Sequence, residues 1–252
     1  MMDKRIINII MDIEVFYSDL YINTKGKISY SLKENGTSVS KFDLDATKYC
    51  IDTITYNFPN ANIWIEENQI ILKDDANQYT WIIDPLDGTA SFLRGYPVWG
   101  IGIAVMMNGL PFLSYFFAPD CNQKYLSYDN KIFINNEFLD TENNILNNDT
   151  KTLFVSSRLH KKIGYKQFED YKVRNFGSTL YHLFMVVLGK AESCIISSCY
   201  IWDIAAVFYL ADMKNYRFYN FESKKSVSIL DFLDFKNQKI DIILEFKKVS
   251  DE

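Results

Sequence analysis

Two aspartates that stand three residues apart carry the strongest chemical signal in the sequence. An apolar run ending at Ile83 leads directly into Asp-Pro-Leu-Asp-Gly-Thr, residues 84–89. Proline stiffens such a turn and glycine permits it, so Asp84, Asp87 and the Leu86 carbonyl can point at one place. Grouped oxygen ligands of this kind suit Mg²⁺, which binds carboxylates, waters and substrate phosphate. The alternative is a structural turn in which an aspartate only caps a helix.

The residues that follow this turn predict an anion site. Residues 89–93 are typical of the first turn of a short helix, whose free N–H groups from Gly88 to Ser91 could bind an anion. A metal ion beside such N–H groups is the arrangement that a phosphate ester needs. The segment therefore indicates metal-assisted phosphate chemistry.

Further acidic residues lie at the ends of predicted elements. They are Asp43 in the first turn of a helix, Glu66 and Glu67 at the end of an apolar strand, and Asp203 at the start of another helix. Taken alone, each has an ordinary explanation: a surface acid, a solvated strand end and a helix N-cap. Sequence spacing by itself does not connect them to the 84–89 turn.

Composition excludes several other kinds of site. The 252 residues include only two His and four Cys without a Cys-x-x-Cys pair, which disfavours a zinc centre or a His-based triad. Unpatterned Cys indicate a reducing compartment. The 27 basic and 32 acidic residues give a net charge of −5, which disfavours nucleic-acid binding through bulk charge.

Hydrophobic spacing predicts alternating helices and strands. The predicted helices cover 4–22, 41–57 with a Ser40–Asp43 capping box, 178–189 and 203–213, and the predicted strands cover 62–66, 80–84, 98–107, 110–117, 124–128, 152–156 and 193–197. Residues 95–119 carry no charge and are long enough to span a bilayer, but Asn108-Gly109 between two apolar runs predicts a buried β-hairpin instead.

One composition shift divides the chain. The polar, Asn-rich segment 140–151 predicts an exposed connection. We therefore expect two domains, an α+β part over 1–145 that carries the metal site and an α/β part over 146–252 that supplies Asp203 and the substrate edge. Alternating helices and strands make the fold class α/β overall.

Four motifs in order resemble the inositol monophosphatase family, within the lithium-sensitive, magnesium-dependent sugar-phosphatase superfamily. They are residues 39–43; Phe58-Pro59 with Ile65-Glu66-Glu67; the segment 84–95; and Gly177-Ser178-Thr179 followed by Gly189, Glu192 and Trp202-Asp203-Ile-Ala-Ala206. The resemblance implies a layered αβαβα sandwich, shared with fructose-1,6-bisphosphatases. It also implies two or three Mg²⁺ ions, inhibition by Li⁺ and a homodimer. We expect a cytoplasmic protein without a membrane segment.

The resemblance assigns roles to individual residues. The metal ligands would be Glu66, Asp84, the Leu86 carbonyl, Asp87 and Asp203; the catalytic residues Asp43, Glu66 and Thr89; and the substrate contacts Asp87, Gly88, Thr89, Gly177, Ser178 and Thr179. Glu66 would also orient the attacking water, and the Thr89 hydroxyl would take its proton while passing its own to Asp43. Arg158 and Arg174 could add phosphate or sugar contacts, or be surface residues.

The substrate edge departs from the family pattern, because Ile196 stands where inositol-specific members carry a Glu that binds sugar hydroxyls. The predicted function is a Mg²⁺-dependent phosphomonoesterase for a small sugar or polyol phosphate such as inositol monophosphate, acting by attack of metal-activated water on phosphorus. One alternative is a phosphatase for fructose 1,6-bisphosphate, NADP or 3′-phosphoadenosine 5′-phosphate. Another is a non-catalytic protein of the same family that binds RNA or a transcription complex.

Overall fold

A computed structural model describes residues 3–25, 30–32, 38–66, 69–71, 79–139, 151–159, 168–229, 231 and 239–246. The elements of the first half are α1 (Lys4–Thr24), β1 (Tyr30–Leu32), β2 (Ser38–Ser40), α2 (Lys41–Asn57), β3 (Asn62–Ile65), β4 (Gln69–Ile71), β5 (Tyr79–Asp87), α3 (Thr89–Arg94), β6 (Gly100–Met107), β7 (Leu110–Ala118), β8 (Gln123–Tyr128), β9 (Lys131–Ile134) and β10 (Glu137–Phe138). The elements of the second half are β11 (Thr152–Val155), β12 (Lys172–Arg174), α4 (Thr179–Val187), β13 (Ser193–Cys199), α5 (Trp202–Met213), β14 (Tyr216–Asn220), β15 (Ser226–Val227) and β16 (Ile240–Phe246).

A sheet of eight strands separates two helical layers. Its strand order is β10-β9-β8-β7-β6-β5-β3-β4. Successive side chains of a strand point to opposite faces. Accordingly, Trp81 and Ile83 of β5 are buried in the cluster that contains the apolar face of α1 and α2, whereas Ile82 is buried in the cluster of α4 and α5.

Helices α4 and α5 lie between this sheet and a second sheet, which has the order β12-β11-β13-β16-β14-β15. One apolar cluster joins Phe116 of the first sheet, Phe184 of α4 and Leu244 of the second sheet. The layers among the described residues are therefore helices, sheet, helices and sheet, which are four of the five layers of the expected αβαβα sandwich. This arrangement confirms the expected layered α/β fold.

The last described strand occupies an interior position of the second sheet. Strand β16 pairs antiparallel with β13 on one side and with β14 on the other. Its alternate residues Ile242 and Leu244 are buried in the core shared with α4 and α5. The chain therefore returns to complete the second sheet after α5.

Several local predictions are confirmed. Helix α2 covers 41–57, and Ser40 and Asp43 form the expected capping box. The β6–β7 hairpin turns at Asn108 and Gly109, which both have positive φ as a two-residue I′ turn requires. The uncharged stretch is thus two sheet strands, and no helix among the described residues is long and apolar enough to cross a bilayer.

The expected connection at 140–151 falls almost wholly outside the described residues, which resume at Lys151. The two sheets lie on either side of it in sequence, and the division into domains 1–145 and 146–252 stays a prediction. All four cysteines are free, and Cys50, Cys194 and Cys199 are buried.

Candidate active site

A bulge in β5 sets the direction of the two motif aspartates. The pairing of β5 with β6 shifts register between Asp84 and Asp87. In a regular strand, two residues three apart point to opposite faces, and a bulge changes that relation. The carboxylates lie close enough for Asp87 to raise the pKa of Asp84.

Asp87 joins the first sheet to the middle helical layer. Its carboxylate accepts hydrogen bonds from the Ser178 hydroxyl, from Thr179 N at 3.0 Å and from Leu180 N at 2.9 Å. It therefore satisfies N–H groups at the start of α4 that the helix cannot satisfy itself. The structure thus brings the predicted substrate residues Ser178 and Thr179 into contact with the 84–89 turn.

Two glycines allow this close approach. Gly88 has φ +85°, and a Cβ atom there would lie 3.1 Å from the Gly177 carbonyl oxygen. Gly177 has φ +88°, and its Cβ would lie 2.1 Å from the Ser91 hydroxyl. Larger residues would meet both steric contact and left-handed backbone strain. The two predicted glycine positions therefore face each other across the site.

The predicted proton relay has a different hydrogen-bond pattern in the structure. The Thr89 hydroxyl donates to the Leu86 carbonyl at 3.0 Å. Within the described contacts it does not bond to Asp43, whose carboxylate accepts from Ser40 N at 2.7 Å and from the Ser40 hydroxyl. A hydroxyl three residues after a carbonyl reaches it easily within one turn. A relay to Asp43 requires Thr89 to leave this bond.

Asp203 and Glu66 approach from two other elements. Asp203 lies in the first turn of α5 and accepts from Tyr200 N at 2.6 Å, so it is not the N-cap residue. Glu66 N donates to the Ile83 carbonyl at 3.1 Å, which places Glu66 beside the end of β5. Glu67 lies outside the described residues.

These acids repel one another in a buried environment. Burial raises the pKa of Asp84 well above its usual range, and Glu66 raises it further. Burial and Glu66 likewise raise the pKa of Asp203, whereas Arg158 lowers it. Burial raises the pKa of Asp87, although its bonds to Ser178, Thr179 and Leu180 oppose the shift. Each shift means that the charged form is unfavourable without a compensating cation.

The donor set fits a hard divalent cation. None of the ion pairs in the described part of the chain involves Asp84, Asp87 or Asp203. Buried carboxylates are ordinarily paired or bound to metal, and oxygen ligands suit Mg²⁺. The side chains do not yet converge, since no three acids, His or Cys among the described residues are arranged to hold an ion. Asp87 and Asp203 at present direct carboxylate oxygens at backbone N–H groups.

Beside the acids lies a cavity of about 240 Å³, lined by Glu66, Asp203, Thr179 and Ile196 among others. Arg158 is also part of its lining, whereas Arg174 is not, and its guanidinium instead donates to the Val173 carbonyl. Ile196 is buried. The position expected to bind sugar hydroxyls is therefore an apolar part of the wall.

Tyr17 is a neighbour of the site that sequence reasoning missed. Burial raises the pKa of its phenol, and Asp43 and Asp84 raise it further. Its hydroxyl has no hydrogen-bond partner among the residues that the structure describes. The signal was available, because Tyr17 continues the helical stripe of Ile10 and Ile13 and places a polar atom on an apolar face.

Comparison with known proteins identifies relatives. A model of the inositol monophosphatase family matches residues 4–211. The chain is 30% identical over 99 residues to a bifunctional phosphatase IMPL2 of Arabidopsis thaliana, which is 39% of this chain and 29% of that protein. It is 27% identical over 200 residues to a Nus factor SuhB of Xylella fastidiosa, covering 74% and 67%. It is 29% identical over 186 residues to a fructose-1,6-bisphosphatase/inositol-1-monophosphatase of Thermotoga maritima, covering 72% and 71%.

A solved structure shares the fold. It is described as an IMPase/NADP phosphatase complexed with Mg²⁺ and phosphate. The TM-score is 0.81 at 19% identity, over 97% of this chain and 91% of that one. At this identity, the likeness shows a common architecture.

Proposed function

This chain belongs to the inositol monophosphatase family, whose model matches residues 4–211, and we propose that it is a Mg²⁺-dependent phosphomonoesterase. Its substrate would be a small sugar or polyol phosphate such as inositol monophosphate. Fructose 1,6-bisphosphate, NADP and 3′-phosphoadenosine 5′-phosphate are the alternatives. The homodimer and the cytoplasmic location stay predictions.

One observation carries this proposal. Asp84, Asp87 and Asp203 come from two distant parts of the chain, and burial raises the pKa of each. Within the described part none of them has a Lys or Arg ion pair. Buried acids without a partner destabilise the fold, and neutral residues in their place would stabilise it. Acids in such an arrangement therefore support a functional role rather than a structural one.

The ligands of the metal would be Glu66, Asp84, the Leu86 carbonyl, Asp87 and Asp203. Bound there, Mg²⁺ would lower the pKa of a water and neutralise phosphate charge. Glu66, at the edge of the cavity, would orient the attacking water. The Thr89 hydroxyl would accept a proton from that water and pass its own to Asp43, after releasing the Leu86 carbonyl.

The alternative of a non-catalytic binding protein is supported by relatives named Nus factor SuhB, among them that of Xylella fastidiosa. The net charge of −5 gives no support for direct RNA binding through bulk charge. Purified folded protein that releases no phosphate from any ester would favour this alternative.

The test is phosphate release from a substrate panel. The panel contains myo-inositol 1-phosphate, fructose 1,6-bisphosphate, NADP, 3′-phosphoadenosine 5′-phosphate and 2′-AMP, assayed with Mg²⁺, with EDTA and with added Li⁺. We expect Mg²⁺-dependent release that Li⁺ inhibits and that falls at least ~100-fold in Asp87→Asn, because the charge of a metal ligand is lost.

Asp87 also caps α4, so its replacement needs a control for folding. Ser178→Ala removes a hydrogen bond at the same cap but no predicted metal ligand. We expect it to keep far more activity than Asp87→Asn. Release that is independent of Mg²⁺, or equal in Asp87→Asn and the wild type, would contradict the proposal.

A further inference from the structure

The cavity beside the acids is lined by groups of both charges. Its described lining contains the acids Glu66 and Asp203 and the cations Arg158 and Lys239, together with Tyr200 and several small residues. Its volume of about 240 Å³ is below the roughly 300–1,000 Å³ of typical ligand pockets, which fits a small molecule.

The topology of the second sheet brings the two cations together. Strand β13 lies between β11, which runs parallel to it, and β16, which runs antiparallel. Arg158 follows the end of β11, and Lys239 immediately precedes β16. The end of β11, the end of β13 and the start of β16 therefore meet at one edge of the sheet, and the cavity opens there.

A bulge shapes the wall between the two cations. The pairing of β13 with β16 is irregular between Ile196 and Cys199, and Ser198 has φ +61°. Asp241 fixes this backbone by accepting from Ser198 N at 2.7 Å and from the Ser197 hydroxyl at 3.3 Å. A non-glycine residue held at positive φ is costly and is characteristic of functional sites.

Neither cation forms an ion pair among the described residues, although Arg158 is close enough to Asp203 to lower the pKa of that acid. Arg158 and Lys239 are exposed, and no ion pair in the described part involves either. The Lys239 ammonium lies 5.0 Å from the centre of the Tyr200 ring, a contact that leaves its charge in place. Glu66 and Asp203, the acids among the described lining residues, belong to the predicted metal ligands.

We propose that Arg158 and Lys239 bind a second anionic group of the substrate, so that the preferred substrate is a phosphate ester with another phosphate or carboxylate at its far end. This inference rests on the proposed phosphatase function, because the scissile phosphate must lie at the acids. Ile196 and the bulge supply uncharged lining of the same cavity. The guanidinium can hold a phosphate or carboxylate with two parallel hydrogen bonds, and the ammonium adds a point charge.

The test compares substrates that differ only in the second anion. The pairs are 3′-AMP with adenosine 3′,5′-bisphosphate, fructose 1-phosphate with fructose 1,6-bisphosphate, and glycerol 3-phosphate with 3-phosphoglycerate. The first two pairs test phosphate on a nucleoside and on a sugar, and the third tests carboxylate. We expect at least one pair in which the compound with two anions has a kcat/KM at least ~10-fold higher.

The variants are Arg158→Met, Lys239→Met and the double replacement. We expect KM for the preferred compound to rise about 10-fold in each single variant and about 100-fold in the double, while KM for the paired compound with one phosphate stays near its wild-type value. Lys239→Met should also keep the wild-type kcat, whereas Arg158 is close enough to Asp203 to affect kcat. Arg174→Met is the matched control, because Arg174 is an exposed arginine of the same sheet outside the cavity lining. It should behave as the wild type.

A binding measurement separates this inference from the proposed function. Calorimetry with Ca²⁺ in place of Mg²⁺ reports the affinity for each pair without requiring turnover. Preferential binding that the double variant loses, without hydrolysis of any ester in Mg²⁺, would support the anion site and refute the phosphatase. Hydrolysis with equal kcat/KM within every pair, or a preference that survives the double replacement, would refute the anion site and leave the phosphatase standing.

Discussion

The Asp87 carboxylate meets two demands at once, since it satisfies the first turn of α4 and lies among other buried acids. Its bonds to Thr179 N and Leu180 N are those of a helix cap, and they stabilise the charged form. Burial and Glu66 destabilise the charged form. One side chain therefore connects the proposed chemistry to the packing of the middle layer.

Removal of the Thr89 hydroxyl tests the proposed proton transfer. Thr89→Val keeps the shape of the side chain, and we expect kcat to fall at least ~100-fold, because proton transfer by a positioned group contributes that much. Loss of the hydrogen bond to Leu86 should cost only about 1 kcal/mol of stability. Steady-state kinetics at saturating Mg²⁺ measure the first effect, and thermal unfolding measures the second.

Thr89→Ser supplies the control, because it retains the hydroxyl and should keep most of the activity. A Thr89→Val enzyme with the wild-type kcat would show that this hydroxyl takes no part in the reaction.

For single residues, the sequence indicated which side chains belong to a candidate site but not the contacts that they make. The type and spacing of Asp84 and Asp87 were enough to indicate a cation site. The hydrogen bond from Thr89 to Leu86 depends on side-chain rotation within one turn, and the position of Tyr17 beside Asp43 depends on how α1 packs. Neither is encoded in local spacing.

At the scale of elements, helix α4 contains a buried histidine that links stability to pH. His182 Nε2 accepts the Phe176 N–H at 2.8 Å, and its ring stacks on Phe154. Burial lowers its pKa to about 4. Protonation would both place a charge in the core and remove the acceptor.

The lowered pKa of His182 predicts that the fold loses stability in acid. The unfolded chain binds a proton at His182 below about pH 6.5, while the folded chain resists it until about pH 4, so this contribution to stability is lost as pH falls across that window. The free energy of unfolding of the wild type minus that of His182→Gln, both measured in EDTA, isolates the contribution of His182. The buried acids have raised pKa values, which act in the opposite direction, but they are common to both proteins.

We expect the free energy of unfolding of the wild type, relative to His182→Gln, to fall by about 3 kcal/mol between pH 7 and pH 4. Urea unfolding at several pH values measures it. Parallel pH profiles for the two proteins would show that His182 titrates normally in the folded state.

The elements themselves were largely predictable where the signal is local. The capping box of α2 and the Asn108-Gly109 hairpin depend on a few neighbouring residues, and both are confirmed. The bulges at Asp84–Asp87 and Ile196–Cys199 were missed, because a bulge is defined by its partner strand. Both bulges lie beside the proposed site.

At the scale of the whole molecule, the site depends on contacts between distant parts of the chain. Asp87 meets α4 across 91 residues, and Lys239 reaches the cavity only because β16 inserts between β13 and β14. The family match ends at residue 211, so β14 to β16 lie beyond it. The pairing of strands that are far apart in the sequence cannot be predicted from the periodicity of one strand. For this reason the architecture of 217–252 was not predicted.

The proposed function depends on the buried acids forming a divalent-cation site, and calorimetric titration of the protein with Mg²⁺ measures whether they do. The wild type should bind Mg²⁺, and Asp84→Asn should lose that binding while unfolding in EDTA at the same or a higher temperature, since a repelling charge is removed. Equal Mg²⁺ binding by the two proteins, or no binding by the folded wild type at millimolar Mg²⁺, would show that these acids do not form the site.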